Sequence, residues 1–177
     1  AYGGQDFADP QRLRLLLEEI DKFNIKSPVF LKMPPDLSFE KVDEIVELAE
    51  AYRMAGFICS NLTKNRNLLK INSEEAALAL QSKGGISGKP VKDLADKLIA
   101  YFYKKTQGKK IIIGCGGIFS GQDAYKKIRL GASLVQLITG MIFEGPQIIS
   151  QINLDLCRLL KRDGFKNISE AVGADFK

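Results

Sequence analysis

The stretch Ile111-Ile112-Ile113-Gly114-Cys115-Gly116-Gly117-Ile118-Phe119-Ser120-Gly121-Gln122-Asp123 changes character twice within a few residues. Its first part, residues 110–114 with Lys110, is short, β-branched and apolar at consecutive positions, as a strand covered on both faces requires. The glycines that follow allow a sharp turn and let backbone N–H groups come close to an anion. Ser120 followed by Asp123 has the spacing of a capping box, which opens a helix. A strand, a glycine turn and a capped helix in direct succession form one unit of an α/β fold with parallel strands.

The same unit recurs on either side. Pro28 starts the run Val29-Phe30-Leu31-Lys32-Met33, closed by Pro34-Pro35. Ser38 caps the next helix, whose core face is Val42, Ile45, Val46 and Ala49. Gly56 introduces the strand Phe57-Ile58-Cys59-Ser60. Pro90 opens a helix with Val91, Leu94, Leu98, Ile99 and Phe102 on one face, and residues 133–138 form a fourth strand. A long helix is expected over about residues 145–160, and Ser169 is read as the cap of a short last one. Ahead of the first strand, Asp9-Pro10 has the pattern of an N-cap and first helical residue. Leu13, Leu16, Leu17, Ile20 and Phe23 follow as one apolar stripe. The polar stretch 61–89 is a long loop with a short helix near 73–80, and loops of that length are usually functional.

The reading is a single domain over residues 1–177, with all four strands buried on both faces. A doubly wound open sheet fits this order, and so does part of a (β/α)8 barrel, which when whole needs about 250 residues and eight units.

Composition narrows the chemistry. The 177 residues contain no histidine, which excludes Ser-His-Asp and Cys-His catalysis and imidazole-based zinc sites within the chain. Cys59, Cys115 and Cys157 are widely separated, so neither a disulfide framework nor a Cys-x-x-Cys metal site is expected. All three read as packing residues, Cys59 and Cys115 at strand ends and Cys157 on a helix face. The charge of 26 basic minus 21 acidic residues, +5, is spread over helical segments without interleaved aromatics, so no nucleic-acid partner is expected. No apolar run approaches the roughly 18 residues of a membrane span, and no signal-peptide pattern is visible. The sequons Asn61-Leu62-Thr63 and Asn167-Ile168-Ser169 are read as chance matches.

The polar and special residues gather at strand ends. Gly116 and Gly117 follow the third strand, and Thr139-Gly140 follows the fourth. In a barrel these are the loops where phosphate binds. Phe119 occupies the third glycine position of a dinucleotide fingerprint, and Lys83 the leading glycine of a Walker loop, so neither motif is present. Lys32 interrupts an apolar strand, which aims its ammonium at the mouth or at a ligand. Ser60 and Asn61 end the second strand with hydrogen-bonding side chains aimed at the same mouth.

An ordered series of segments carries a resemblance. It comprises residues 29–37 (VFLKMPPDL), Ser60-Asn61-Leu62-Thr63, residues 84–90 (GGISGKP), residues 114–123 (GCGGIFSGQD), residues 128–139 (IRLGASLVQLIT) and residues 170–175 (EAVGAD). Together they resemble the C-terminal half of a class 2, quinone-dependent dihydroorotate dehydrogenase, over nearly the whole chain from about Pro28. The resemblance implies the last four units of an FMN-binding (β/α)8 TIM barrel. It implies oxidation of dihydroorotate to orotate in pyrimidine synthesis, with hydride leaving C6, a base taking the C5 proton, and quinone as acceptor. It places Lys32 near the flavin ring and Ser60 on the flavin. Backbone contacts to FMN come from Gly88, Gly116 and Gly117, and Ile138 and Thr139 lie at its phosphate. Asn61 would hydrogen-bond the substrate ring. Leu62 stands where the family has a threonine, and Ile138 where it has a tyrosine. The family's catalytic serine lies in the other half of the barrel, so no catalytic base and no metal ligand is assigned here.

The resemblance further implies peripheral attachment to the cytoplasmic side of a membrane in the intact enzyme. It also implies pairing with the missing N-terminal half or a second copy. Two other readings remain open: a non-catalytic half-barrel that holds FMN or another phosphate ligand, and an unrelated open-sheet protein.

Overall fold

The computed structural model describes residues 7–69 and 84–177. The short helix expected near 73–80 lies outside these. Four parallel strands form one sheet in sequence order: β1 (Phe30–Met33), β2 (Gly56–Cys59), β3 (Ile111–Cys115) and β4 (Leu134–Gln136). Helix α1 (Pro10–Asp21) precedes the sheet, and α2 (Phe39–Ala51), α3 (Lys92–Lys105) and α4 (Gly121–Arg129) connect the strands. After β4 come the short α5 (Thr139–Glu144), the long α6 (Ile148–Arg162) and one turn, α7 (Ile168–Ala171).

Local chemistry sets the helix starts. Asp9 accepts from the Arg12 amide at 3.1 Å, with Pro10 in the first turn. Ser38 accepts from the Lys41 amide and Ser120 from the Asp123 amide. The last cap is Asn167, whose side chain accepts from the Ser169 amide at 3.0 Å. This corrects the reading of Ser169 as the cap: asparagine reaches the second amide of the turn from outside the helix.

Register sorts the strand residues onto two faces. Leu31, Phe57 and Ile112 lie abreast on one face, as do Met33, Cys59 and Gly114, and all are buried. Over this face the helices pack in succession, α1 on α2, α2 on α3, α3 on α4 and α4 on α6. The core between contains Leu13, Leu17, Val42, Ile45, Ala49, Ile99 and Phe102. Phe57 and Phe102 meet there with ring centroids 4.2 Å apart. Phe23, expected on the stripe of α1, lies beyond the helix end and is 77% exposed.

The opposite face carries the rows Lys32–Ile58–Ile113–Leu134 and Phe30–Gly56–Ile111. Lys32 is exposed, and Ile111 and Leu134 are 44% and 60% exposed. Burial on both faces is therefore not met within the described residues, because the helices lie on one side. Sequential strand order with helices on a single face is an arc of a barrel. A doubly wound sheet would reverse its order at a switch point, and none occurs here.

Candidate functional site

Parallel strands with one-sided helices leave their carboxyl ends together at one rim. There, all nine residues singled out from the sequence line a single hollow of about 190 Å³: Lys32, Ser60, Asn61, Leu62, Gly88, Gly116, Gly117, Ile138 and Thr139. The volume falls below the roughly 300–1,000 Å³ of ordinary ligand pockets, as expected of a cup walled on one side.

Lys32 stands on the inner row of β1 and makes no hydrogen bond or ion pair with the described residues. It is the only charged residue among the described residues lining the hollow. Ser60 is buried and stitches two strand ends. Its amide donates to the Cys115 carbonyl at 2.7 Å, and its hydroxyl lies within reach of the Asn61 and Cys115 carbonyls. The Asn61 amide donates to the Met33 carbonyl at 2.8 Å, which leaves its exposed side chain directed by the ends of β1 and β2.

Leu62 packs on the backbone of the opposing loop: a Cβ added to Gly85 would lie 2.1 Å from its Cδ1. Thr63 then holds that loop, exchanging two backbone hydrogen bonds with Ile86 and donating its hydroxyl to Asp36 at 2.6 Å.

The glycines are there for want of space. Gly88 has φ +79°, and a Cβ would sit 2.8 Å from the Thr139 methyl. Gly117 has φ +70°, and a Cβ would sit 2.4 Å from that of Lys92. Neither the Gly117 nor the Ile118 amide donates to a backbone carbonyl among the described residues. Ile138 directly precedes α5 and Thr139 opens it, so β4 ends sooner than expected and Ile138 is exposed outside the strand. The first amides of α5 also lack intrahelical partners.

Ser87, Val91, Ile118 and Leu137 complete the wall without having been singled out as site residues. Ser87 shares a hydrogen bond with the Thr139 hydroxyl at 3.1 Å. The pairing of residues this far apart in sequence leaves no local signal. Cys59 is buried in the core, and desolvation pushes its thiol far above the ordinary range. Cys115 lines the hollow. Burial raises its pKa, against smaller opposing effects of Lys32, Lys127 and the Gly116 amide. Neither thiol is activated. Cys157 is exposed rather than packed.

Among the described residues no cluster of acidic or sulfur ligands suits a metal ion, and no helix is long and apolar enough to cross a membrane. Among the described residues the hollow therefore combines amides without backbone partners, the hydroxyls of Ser60, Ser87 and Thr139, the Asn61 carboxamide, one ammonium and apolar walls, with no carboxylate. That set can grip an anion and cover a flat ring.

Known proteins agree with this geometry. The family model described as dihydroorotate dehydrogenase matches residues 1–160. The dihydroorotate dehydrogenase (quinone) of Crocosphaera subtropica is 42% identical, covering 98% of this chain and 47% of that protein. The mitochondrial enzyme of the same name from Oryza sativa is 46% identical, covering 85% of this chain and 31% of that protein. The crystal structure of ligand-free type DHODH from Eimeria tenella superposes with a TM-score of 0.85 at 30% identity, covering 97% of this chain and 51% of that one. The chain thus spans at most about half the length of these relatives. With the half-barrel arc, the strand-end hollow and the sequence match in agreement, the chain belongs to the dihydroorotate dehydrogenase family.

Proposed function

We propose that this chain supplies the C-terminal, phosphate-gripping half of an FMN site that oxidises dihydroorotate to orotate, with quinone as the acceptor. The observation that carries the reading is the single hollow. It joins the loops after β3 and β4, and among the described residues Lys32 is its only charge.

The residues present fit a flavin monophosphate. Amides at Gly117 and Ile118 with no backbone acceptor among the described residues, and no room for a Cβ at Gly88 or Gly117, suit a close-lying phosphate. Thr139 and Ser87 add hydroxyls beside it. When bound, FMN supplies the two-electron acceptor. The protein's part is positional and electrostatic. Lys32 offsets negative charge on the reduced ring, Ser60 fixes the rim beneath it, and Asn61 orients the substrate ring with Leu62 as an apolar wall. Gly116 and Ile138 complete the phosphate end.

Among the described residues no carboxylate lines the hollow, burial raises the pKa of the Cys115 thiol, and the Ser60, Ser87 and Thr139 hydroxyls bond only to carbonyls or to each other, with no group beside them to take a proton. We therefore assign the proton-abstracting base to the other half of the barrel. The chain alone is inactive in this reading. Quinone is lipid-soluble, so the intact enzyme would work against a membrane surface.

The test is flavin binding by the purified chain, followed by fluorescence, with riboflavin as the comparator lacking phosphate. FMN binding at least about tenfold tighter than riboflavin is expected, the scale of one to two charge-assisted hydrogen bonds. Dihydroorotate should not bleach the bound flavin. Equal affinity for the two flavins would remove the phosphate assignment, and turnover by the isolated chain would remove the assignment of the base. The alternative, a half-barrel that holds FMN without chemistry, has in its favour the apolar Leu62 packed on Gly85. It predicts no bleaching even after an N-terminal half from a relative is added.

A further inference from the structure

The loop after β3 is held from behind by charge. Lys92, at the start of α3, forms an ion pair with Asp123 in the first turn of α4. The other oxygen of the same carboxylate, Asp123 Oδ2, accepts from the Phe119 amide at 3.0 Å. Gly117, two residues before Phe119, lies directly on Lys92, 2.8 Å from its Cα to a would-be Cβ. The loop is thus pinned at Gly117 by Lys92 and at Phe119 by Asp123, and the two pins are bonded to each other. Between them lie the two amides left without backbone partners among the described residues, those of Gly117 and Ile118.

About one turn further along, the same helices meet again with the charges reversed. Asp96 of α3 accepts from Lys127 Nζ of α4 at 2.5 Å and lies 2.8 Å from Lys126 Nζ, an ion pair without hydrogen-bond direction at that oxygen. Lys127 is fully buried. It sits behind β3, its Cβ 3.3 Å from where a Cβ on Gly114 would be. Sliding α4 by a turn in either direction would set like charges side by side, so the two pairs permit one register. Fixing register is the best-attested use of buried charge.

We propose that Asp123 is a positioning residue for the anion-holding loop: through the Phe119 amide, and braced by Lys92, it fixes the direction of the free Gly117 and Ile118 amides. This rests on reading that loop as the phosphate grip. Lys92 is then a structural cation, and the ligand's charge is met by backbone dipoles.

The test uses the full chain and two readouts. Without ligand, hydrogen exchange of the Phe119 amide is followed by NMR. With ligand, FMN affinity is compared with riboflavin affinity. In Asp123→Ala the Phe119 amide should exchange about tenfold faster, and FMN binding should weaken about tenfold while riboflavin binding is unchanged, the scale of one charge-assisted hydrogen bond.

The double variant Lys92→Met/Asp123→Asn keeps an acceptor for Phe119 and leaves no orphan charge, so it should stay within about threefold of wild type in both readouts. Should Asp123→Ala fail to fold, Lys92→Met/Asp123→Ala takes its place beside that double variant. The two chains are uncharged there and differ in the acceptor alone. Equal values for the acceptor-bearing and acceptor-lacking variants would overturn the proposal. If wild-type chain shows no preference for FMN, the functional reading falls, and the exchange rates still decide the role of Asp123.

Discussion

Gly117 concentrates the demands of the site at one residue. It needs a left-handed backbone and close contact with Lys92, where even a methyl group would overlap main chain and side chain. Gly117→Ala should therefore cost stability, by about 1–3 kcal/mol, and displace the amides that face the hollow. FMN titration should show the loss persisting at temperatures where circular dichroism reports a folded chain. Unchanged affinity would mean that the loop does not hold the phosphate. At this scale the sequence was informative where a residue contradicted its surroundings. Lys32 breaks an apolar run, Asn61 ends one, and paired glycines follow one. It was silent where a residue matched its surroundings. Ser87 sits in a polar stretch and acquires its partner, Thr139, only through folding. Lys127 and Asp96 look like ordinary helix-surface charges, yet they are buried against each other because two helices bring them together behind β3.

At the scale of elements, starts were easier to read than ends. Asp9, Ser38 and Ser120 bond the amides their spacing implies, since capping is a contact between near neighbours. The end of β4 was not legible, because Leu137-Ile138 continues its apolar run, and α5 carries no side-chain cap and too few residues for a period. The C-terminal elements depend instead on a long-range clip. Asp163, after α6, accepts from Arg162, from the Tyr125 hydroxyl at 2.8 Å and from Arg129 at 3.1 Å. Arg129 also grips Asp175. Arg162 first, then Tyr125, lowers the Asp163 carboxyl from its ordinary 3.8 to about 2. A carboxylate with a depressed folded pKa adds stability above its unfolded pKa and loses that contribution as pH falls through the folded one. The clip should thus be complete above about pH 4 and be lost as pH falls through about 2. Urea unfolding of Asp163→Asn should show a shallower decline across that window than wild type. Parallel declines would mean that the clip does not contribute.

At the scale of the molecule, strand order and helix placement followed from a repeated local pattern, whereas the state of the inner face did not. Alternating runs reveal a sheet covered on one side, but uniformly apolar strands look the same whether the second cover comes from this chain or from another. Here the covered side holds the core, while the inner rows leave Ile111 and Leu134 open to solvent. Among the described residues β1 and β4 have no outer neighbour, so both expose unpaired backbone groups. Apolar surface beside open strand edges drives pairing with whatever complements it. In the intact family that is the rest of the barrel, and for this chain alone we expect a second copy. Sedimentation at micromolar concentration should give a mass above 19.6 kDa. Leu134→Lys places a charge on the inner row at an edge strand, so it should shift the population toward monomer while leaving the outer core intact. A wild-type chain that sediments as a dilute monomer would show that the inner face is satisfied in some other way, and the argument from the open arc would fail with it.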